Sequence, residues 1–147
     1  MSPRSGKRSA SSTGSPPEPP TLFIDRCAWS GALARSLSDA GIAFIPHHER
    51  FEHDAPDEVW LSAAADQGWL VVTRDQRIRY RANEVAAMRR ARLHVFVFTQ
   101  GGLTGAETGS ILVRCHAAMV RHAARVPAPA FFSLTRSGEV SRLNATT

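Results

Sequence analysis

Residues 68–75 read Gly68-Trp69-Leu70-Val71-Val72-Thr73-Arg74-Asp75. From Trp69 to Thr73 the run is apolar and rich in β-branched residues, without the polar alternation of a half-exposed strand. That pattern predicts a strand buried on both faces, the kind found in parallel sheets. An acid, Asp75, stands two residues beyond the end of the run. Working upstream, Pro56 occupies a first helical position with Asp54 as a candidate cap. The helix that follows carries Val59, Trp60, Ala63 and Ala64 and stops at Gly68. His47 to Ala55 reads as a polar loop. Ile42-Ala43-Phe44-Ile45 and Thr21-Leu22-Phe23-Ile24 are two more buried strands, the latter closing on Asp25. Between them a helix from Trp29 to Ala40 ends at Gly41, which serves as its C′ residue.

Downstream, helical spacing predicts a helix over about Asn83 to Arg92, and Leu93 to Phe98 is a fourth buried strand. A Gly-rich loop over Thr99–Thr104 leads to a helix from Glu107 to Ala124, closed by Pro127 and Pro129. Phe131–Thr135 and Val140–Leu143 flank Ser137-Gly138 as a terminal hairpin. Alternating strands and helices with continuously apolar strands specify an α/β fold. A central, mostly parallel sheet is covered on both faces in three layers, with a C-terminal helix and a β-hairpin added. In such sheets ligands bind in the crevice outside the carboxyl ends of the strands.

The chain has 147 residues and is 43% hydrophobic, which suits one globular domain. Residues 1–20 are rich in Ser and Pro and read as a disordered tail, because they cannot bury enough apolar surface to offset their ordering entropy. The domain is expected over 21–147, with its core in 21–100 and the added helix and hairpin in 105–143. No apolar run approaches the roughly 20 residues of a bilayer span. The N-terminus lacks the apolar segment of a secretory signal, so a cytoplasmic protein is expected. Cys27 and Cys115 are the only cysteines, which excludes a disulfide scaffold or a Cys-rich zinc module. The formal net charge is +5, and Lys7 is the sole lysine among the basic residues. A basic, arginine-dominated surface favours polyanions, although a GC-rich genome would produce the same bias.

Three separate segments bring acids to the carboxyl edge of the sheet. Asp25 ends the first strand, Asp75 follows the third, and Asp57 and Glu58 open the helix that starts from the same edge. Each has an ordinary explanation: Asp57 and Glu58 complement a helix dipole, Asp75 suits a turn, and Asp25 can cap the next helix. Their convergence favours function. Clustered carboxylates without a cationic partner repel, and a divalent cation relieves that. Their oxygen donors suit Mg²⁺ or Mn²⁺. A metal pair in such a site would activate water for phosphodiester cleavage, with arginines holding the polyanion.

The runs Leu22-Phe23-Ile24-Asp25, Asp57-Glu58-Val59-Trp60-Leu61 and Gly68-Trp69-Leu70-Val71-Val72-Thr73-Arg74-Asp75 together resemble a PIN-like domain, in particular the small toxins of the VapC type. The resemblance covers about residues 21–100. It implies a Mg²⁺- or Mn²⁺-dependent endoribonuclease, often the toxin of a type II toxin–antitoxin pair. The acids it carries over are Asp25, Asp57 and Asp75, with Glu58 as a helper at the metal. The implied partners are an RNA substrate, an antitoxin protein and a second copy of the chain. The sequence departs from the family where a fourth acidic or Asn residue commonly follows the last Asp: here Gln76 and Arg77 follow, with Asn83 further on. Arg26-Cys27 also replaces the polar pair usual after the first Asp. A catalytically impaired binding module of the same fold is therefore the alternative.

Arg74, Arg77, Arg79, Arg81, Arg89, Arg90 and Arg92 form the densest basic stretch, starting beside Asp75. Arg74, Arg77 and Arg79 are the candidates for holding a phosphate backbone, with a solvated face as the plain alternative. His47, His48 and His53 lie among Glu49, Glu52 and Asp54, but they lack the Cys or helical His partners of a zinc site and read as a polar loop. Cys27 has no His or Asn partner at recognisable spacing for a thiol nucleophile. Gly101-Gly102-Leu103-Thr104-Gly105 lacks the Lys-Ser/Thr ending of a P-loop, so Thr104 or Thr108 belongs to a helix start. Trp60 and Trp69 belong to the core.

Overall fold

In the computed structural model the backbone is described for residues 19–89 and 92–143, and the side chains for the same stretches except 87–89. Most of the tail expected over residues 1–20 lies outside the described residues. So do Arg90 and the side chain of Arg89. Six strands form one sheet: β1 (Leu22–Ile24), β2 (Phe44–Pro46), β3 (Leu70–Thr73), β4 (His94–Phe98), β5 (Ala130–Leu134) and β6 (Val140–Leu143). Their order is β2-β1-β3-β4-β5-β6. Every pairing is parallel except the terminal hairpin β5–β6. The fold is thus α/β, as the apolar strand runs require.

Side chains alternate across the sheet and build two cores. Leu22, Ile24, Leu70, Val72, Phe96, Phe98 and Phe132 face α1 (Gly31–Asp39) and α5 (Gly105–Arg125). Phe23, Val71, Val95, Val97 and Phe131 face α3 (Asp57–Gln67) and α4 (Ile78–Arg89) on the other side. Trp60 and Trp69 are buried in this second core, where Phe23 stacks against both at 5.5 and 5.4 Å. The first core depends on a close approach of helices. A Cβ built on Gly109 of α5 would stand 2.5 Å from Ser36 Oγ and 3.1 Å from the Leu33 Cα of α1.

Element boundaries differ from expectation where side chains compete for the backbone. Residues 26–28 form a 3-10 turn capped by Asp25, so α1 begins only at Gly31, with the Ser30 hydroxyl accepting from the Leu33 N–H. The polar loop expected over 47–55 contains a short helix, α2 (His47–Arg50). At α3 the cap position is Pro56 itself, in extended conformation and without a side-chain hydrogen bond, so Asp54 is not the cap. Gly68 ends that helix at φ 73°, a left-handed geometry that glycine adopts without strain. The fourth helix starts at Ile78, five residues before the expected Asn83. The last helix starts at Gly105, where Thr104 and Glu107 form a reciprocal capping box. Among the described residues no helix is long and apolar enough to cross a membrane.

Candidate active site

The register places three residues side by side at the carboxyl edge. Ile24 pairs with Pro46 on one side and with Val72 on the other. The next residues along the three strands are His47, Asp25 and Thr73. Asp25 is only 6% exposed, and both of its carboxylate oxygens are engaged. Oδ1 accepts from the Arg26 N–H at 2.7 Å. Oδ2 accepts from the Thr73 hydroxyl at 2.7 Å and from the Cys27 thiol at 3.3 Å. The same Thr73 oxygen accepts from the Asp75 N–H at 3.1 Å. One buried hydroxyl therefore couples Asp25 to the loop that carries Asp75.

Asp75 turns the chain into α4, its Oδ1 accepting from the Arg77 N–H at 3.0 Å and ion-pairing with Arg77 Nε at 3.3 Å. Asp57, in the first turn of α3, accepts from the Trp60 indole N–H at 3.2 Å, which fixes its carboxylate to the core. Asp57 and Asp75 line one cleft of about 330 Å³ with Arg77, Ile78, Tyr80, Arg81 and Glu84. Asp25 does not line it and connects to the loop that carries Asp75 through Thr73 and, more weakly, through Cys27. Glu58 stands aside, ion-paired with Arg81 at 3.5 Å. Arg81 also lies 3.9 Å from Glu84. The expectation of acids without cationic partners is corrected here, because two guanidinium groups stand among them. Three carboxylates against two arginines still leave the cleft one negative charge in excess.

Of the three arginines expected at a phosphate, Arg77 alone lines the cleft. Arg74 donates to the Leu103 carbonyl at 3.2 Å and braces the loop before α5. Arg79 donates to the Gln76 carbonyl at 3.1 Å. The larger cavity, about 550 Å³ beside Trp69 and His94, has none of Asp25, Asp57 and Asp75 in its lining.

A family model of the PIN-like domain matches residues 20–100, more than half of the chain and the stretch that builds β1 to β4 and this cleft. The chain belongs to the PIN-like domain family. Neither the curated proteins nor the solved structures contain a match to it. The PIN-like domain is of a nuclease type, a family that implies binding of nucleic acid.

The donor set of this PIN-like domain is carboxylate oxygen, the chemistry that hard divalent cations take. Among the described residues no three His, Cys, Asp or Glu side chains converge on one point. Asp57, Asp75 and Glu84 thus share the lining of one cleft without forming a closed cage of ligands. Glu84 was missed in the sequence because the helix was expected to start at Asn83. With the start at Ile78, residues 77, 81 and 84 fall at i, i+4 and i+7 on one helical face, and that spacing was the available signal.

Two further groups could not be placed from sequence. Cys27 is exposed, but its sulfur accepts from the Arg74 N–H at 3.3 Å and lies 3.3 Å from Thr73 Oγ1. Burial of the sulfur and the charge of Asp25 push the thiol above its usual range, against the pull of the Thr73 hydrogen bond, so it is no thiolate nucleophile at neutral pH. His47 is 1% exposed, set among Phe23, Phe51 and Trp60, and neither ring nitrogen has a partner among the described residues. Burial, helped by Arg26, holds its pKa below the usual value, while Asp25 and Asp57 pull the other way.

Proposed function

We propose that this PIN-like domain is a metal-dependent endoribonuclease. The observation that carries the reading is the single cleft shared by Asp57, Asp75 and Glu84, with Arg77 and Arg81 in its wall. Asp57 and Asp75 would hold a hydrated Mg²⁺ or Mn²⁺, with Glu84 in the wall of the same cleft. Asp25 would act on the site through Thr73, and Glu58 would serve by holding Arg81. The bound ion would supply an activated water and a charge for the leaving oxygen. Arg77, with a largely exposed side chain, can exchange Asp75 for a phosphate oxygen, and Arg81 can turn from Glu58 and Glu84 in the same way. The Trp60 indole keeps the Asp57 carboxylate oriented throughout.

Asp75→Asn is the variant of choice, because an amide oxygen still accepts from the Arg77 N–H and the fold survives. The expected result is loss of RNA cleavage in Mn²⁺ with an unchanged melting curve. Full cleavage by wild type in EDTA would overturn the metal-dependent reading. The toxin role rests on the likeness of the motifs to VapC-type toxins. Expression in a bacterial host should arrest growth with wild type and not with Asp75→Asn, and equal growth would refute it.

A second reading, a binding module without catalysis, has its own observation: Arg77 pairs with Asp75, an acid that a metal would need, and Arg81 lies against Glu84 in the same cleft. Salt-dependent RNA binding without cleavage in any divalent metal would decide for it.

A further inference from the structure

Tyr80 is the only tyrosine of the chain. Among the described Phe, Trp and Tyr side chains it is the one that stands exposed, at 43%, while the others are buried or packed against the two cores. Its hydroxyl has no hydrogen-bond partner among the described residues, and its ring belongs to neither core. Folding therefore gives no account of an aromatic residue at this position.

Its surroundings do. Tyr80 lines the same cleft as Asp57, Asp75, Arg77, Arg81 and Glu84. It lies three residues after Arg77 and four before Glu84, on the helical face that carries the charged groups. The Arg79 guanidinium is 5.7 Å from its ring centroid, within cation–π range of the ring. An open aromatic face between arginines, beside a cluster of acids, is the set of groups that binds one nucleotide. The ring takes the base, and a guanidinium takes the phosphate.

We infer that Tyr80 is the stacking platform for an unpaired base of the RNA strand next to the cleavage point, and that it makes the site selective for single strands. The inference rests on the nucleic-acid reading of the cleft. A base inside a duplex has both faces covered by its neighbours, whereas an unpaired base can lay one face on the ring. Stacking does not depend on which base is present, so Tyr80 selects strandedness and not sequence.

The test compares wild type, Tyr80→Ala and Tyr80→Phe. Binding to a short unstructured RNA is measured by fluorescence anisotropy in EDTA, and again with the same RNA annealed to its complement. Cleavage is measured in Mn²⁺. Tyr80→Ala should bind the single strand roughly tenfold more weakly, and Tyr80→Phe should match wild type, since the ring and not the hydroxyl is used. Duplex binding should be equal in all three. In cleavage, Tyr80→Ala should raise KM and leave kcat unchanged. Unchanged single-strand affinity in Tyr80→Ala would overturn the inference, as would an equal loss on duplex or a loss in Tyr80→Phe as large as in Tyr80→Ala. If wild type cleaves nothing while the Tyr80→Ala binding defect persists, the catalytic reading fails and the stacking role stands.

Discussion

Thr73→Val removes one oxygen from the centre of the site and preserves the shape of the side chain. Thr73 is fully buried, and its hydroxyl links Asp25 to the Asp75 N–H, beside a weaker link from Asp25 through the Cys27 sulfur to the Arg74 N–H. Two hydrogen bonds go with it, as does a weaker 3.3 Å contact with the Cys27 sulfur. The 2.7 Å bond to the Asp25 carboxylate is charge-assisted, a class worth about 1.5–3 kcal/mol. The Asp75 N–H loses its acceptor as well, at a cost of about 1 kcal/mol. The Cys27 thiol at 3.3 Å still donates to Asp25 and offsets part of this. The net expectation is a loss of about 2–3 kcal/mol. With a urea m-value of about 1–2 kcal/mol/M for a domain of this size, the unfolding midpoint should fall by about 1–3 M. Thr73→Ser keeps the hydroxyl and loses one methyl group, so it should cost only about 1 kcal/mol. Under conditions where both variants remain folded, RNA cleavage should fall more than tenfold in Thr73→Val and stay within a few-fold of wild type in Thr73→Ser. If the valine variant is as stable as the serine variant, the hydroxyl does not hold the two acids together and the argument fails.

His47→Leu should leave the protein as stable as wild type or about 1 kcal/mol more stable at pH 7.5, because it removes two buried ring nitrogens without partners for a side chain of similar volume. The folded ring has a pKa below its usual value, so on acidification the unfolded chain takes up a proton that the folded one refuses. Stability is then lost as pH falls below the ordinary histidine range, with a slope of at most about 1.4 kcal/mol per pH unit. His116, also shifted down by burial, contributes to both proteins, so the difference between their stability curves isolates His47. Parallel curves from about pH 5 to pH 7.5 would count against it, and a less stable leucine variant would mean that the ring nitrogens are satisfied. Gly109→Ala should destabilise by about 1–3 kcal/mol despite alanine's higher helix propensity, since the new Cβ would meet Ser36 and the α1 backbone at Leu33. A urea midpoint at or above that of wild type would refute the close-approach argument.

The strands were legible because burial on both faces leaves a local mark: β1, β3 and β4 are short, continuously apolar runs. The positions of Asp25 and Asp75 at the carboxyl edge followed from the strands, and Asp57 from the start of the helix between them. Helix α4 was half legible. Its first two turns bury only Ile78 and the small Ala82 among exposed arginines, a stripe too sparse to mark the start, so the sequence reading begins five residues late and omits Glu84. The segment 47–55 misled for a related reason. His47 and His48 are identical in sequence terms, yet one is sealed among aromatic rings and the other is exposed. Which of two adjacent histidines enters the core is set by the register of β2 against β1, a contact between segments twenty residues apart. The same holds for the Thr73 bridge, for the arginines that neutralise the acids, and for the exposure of Tyr80. Each depends on which side chains of different elements meet, and a meeting of that kind leaves no periodicity in any one segment.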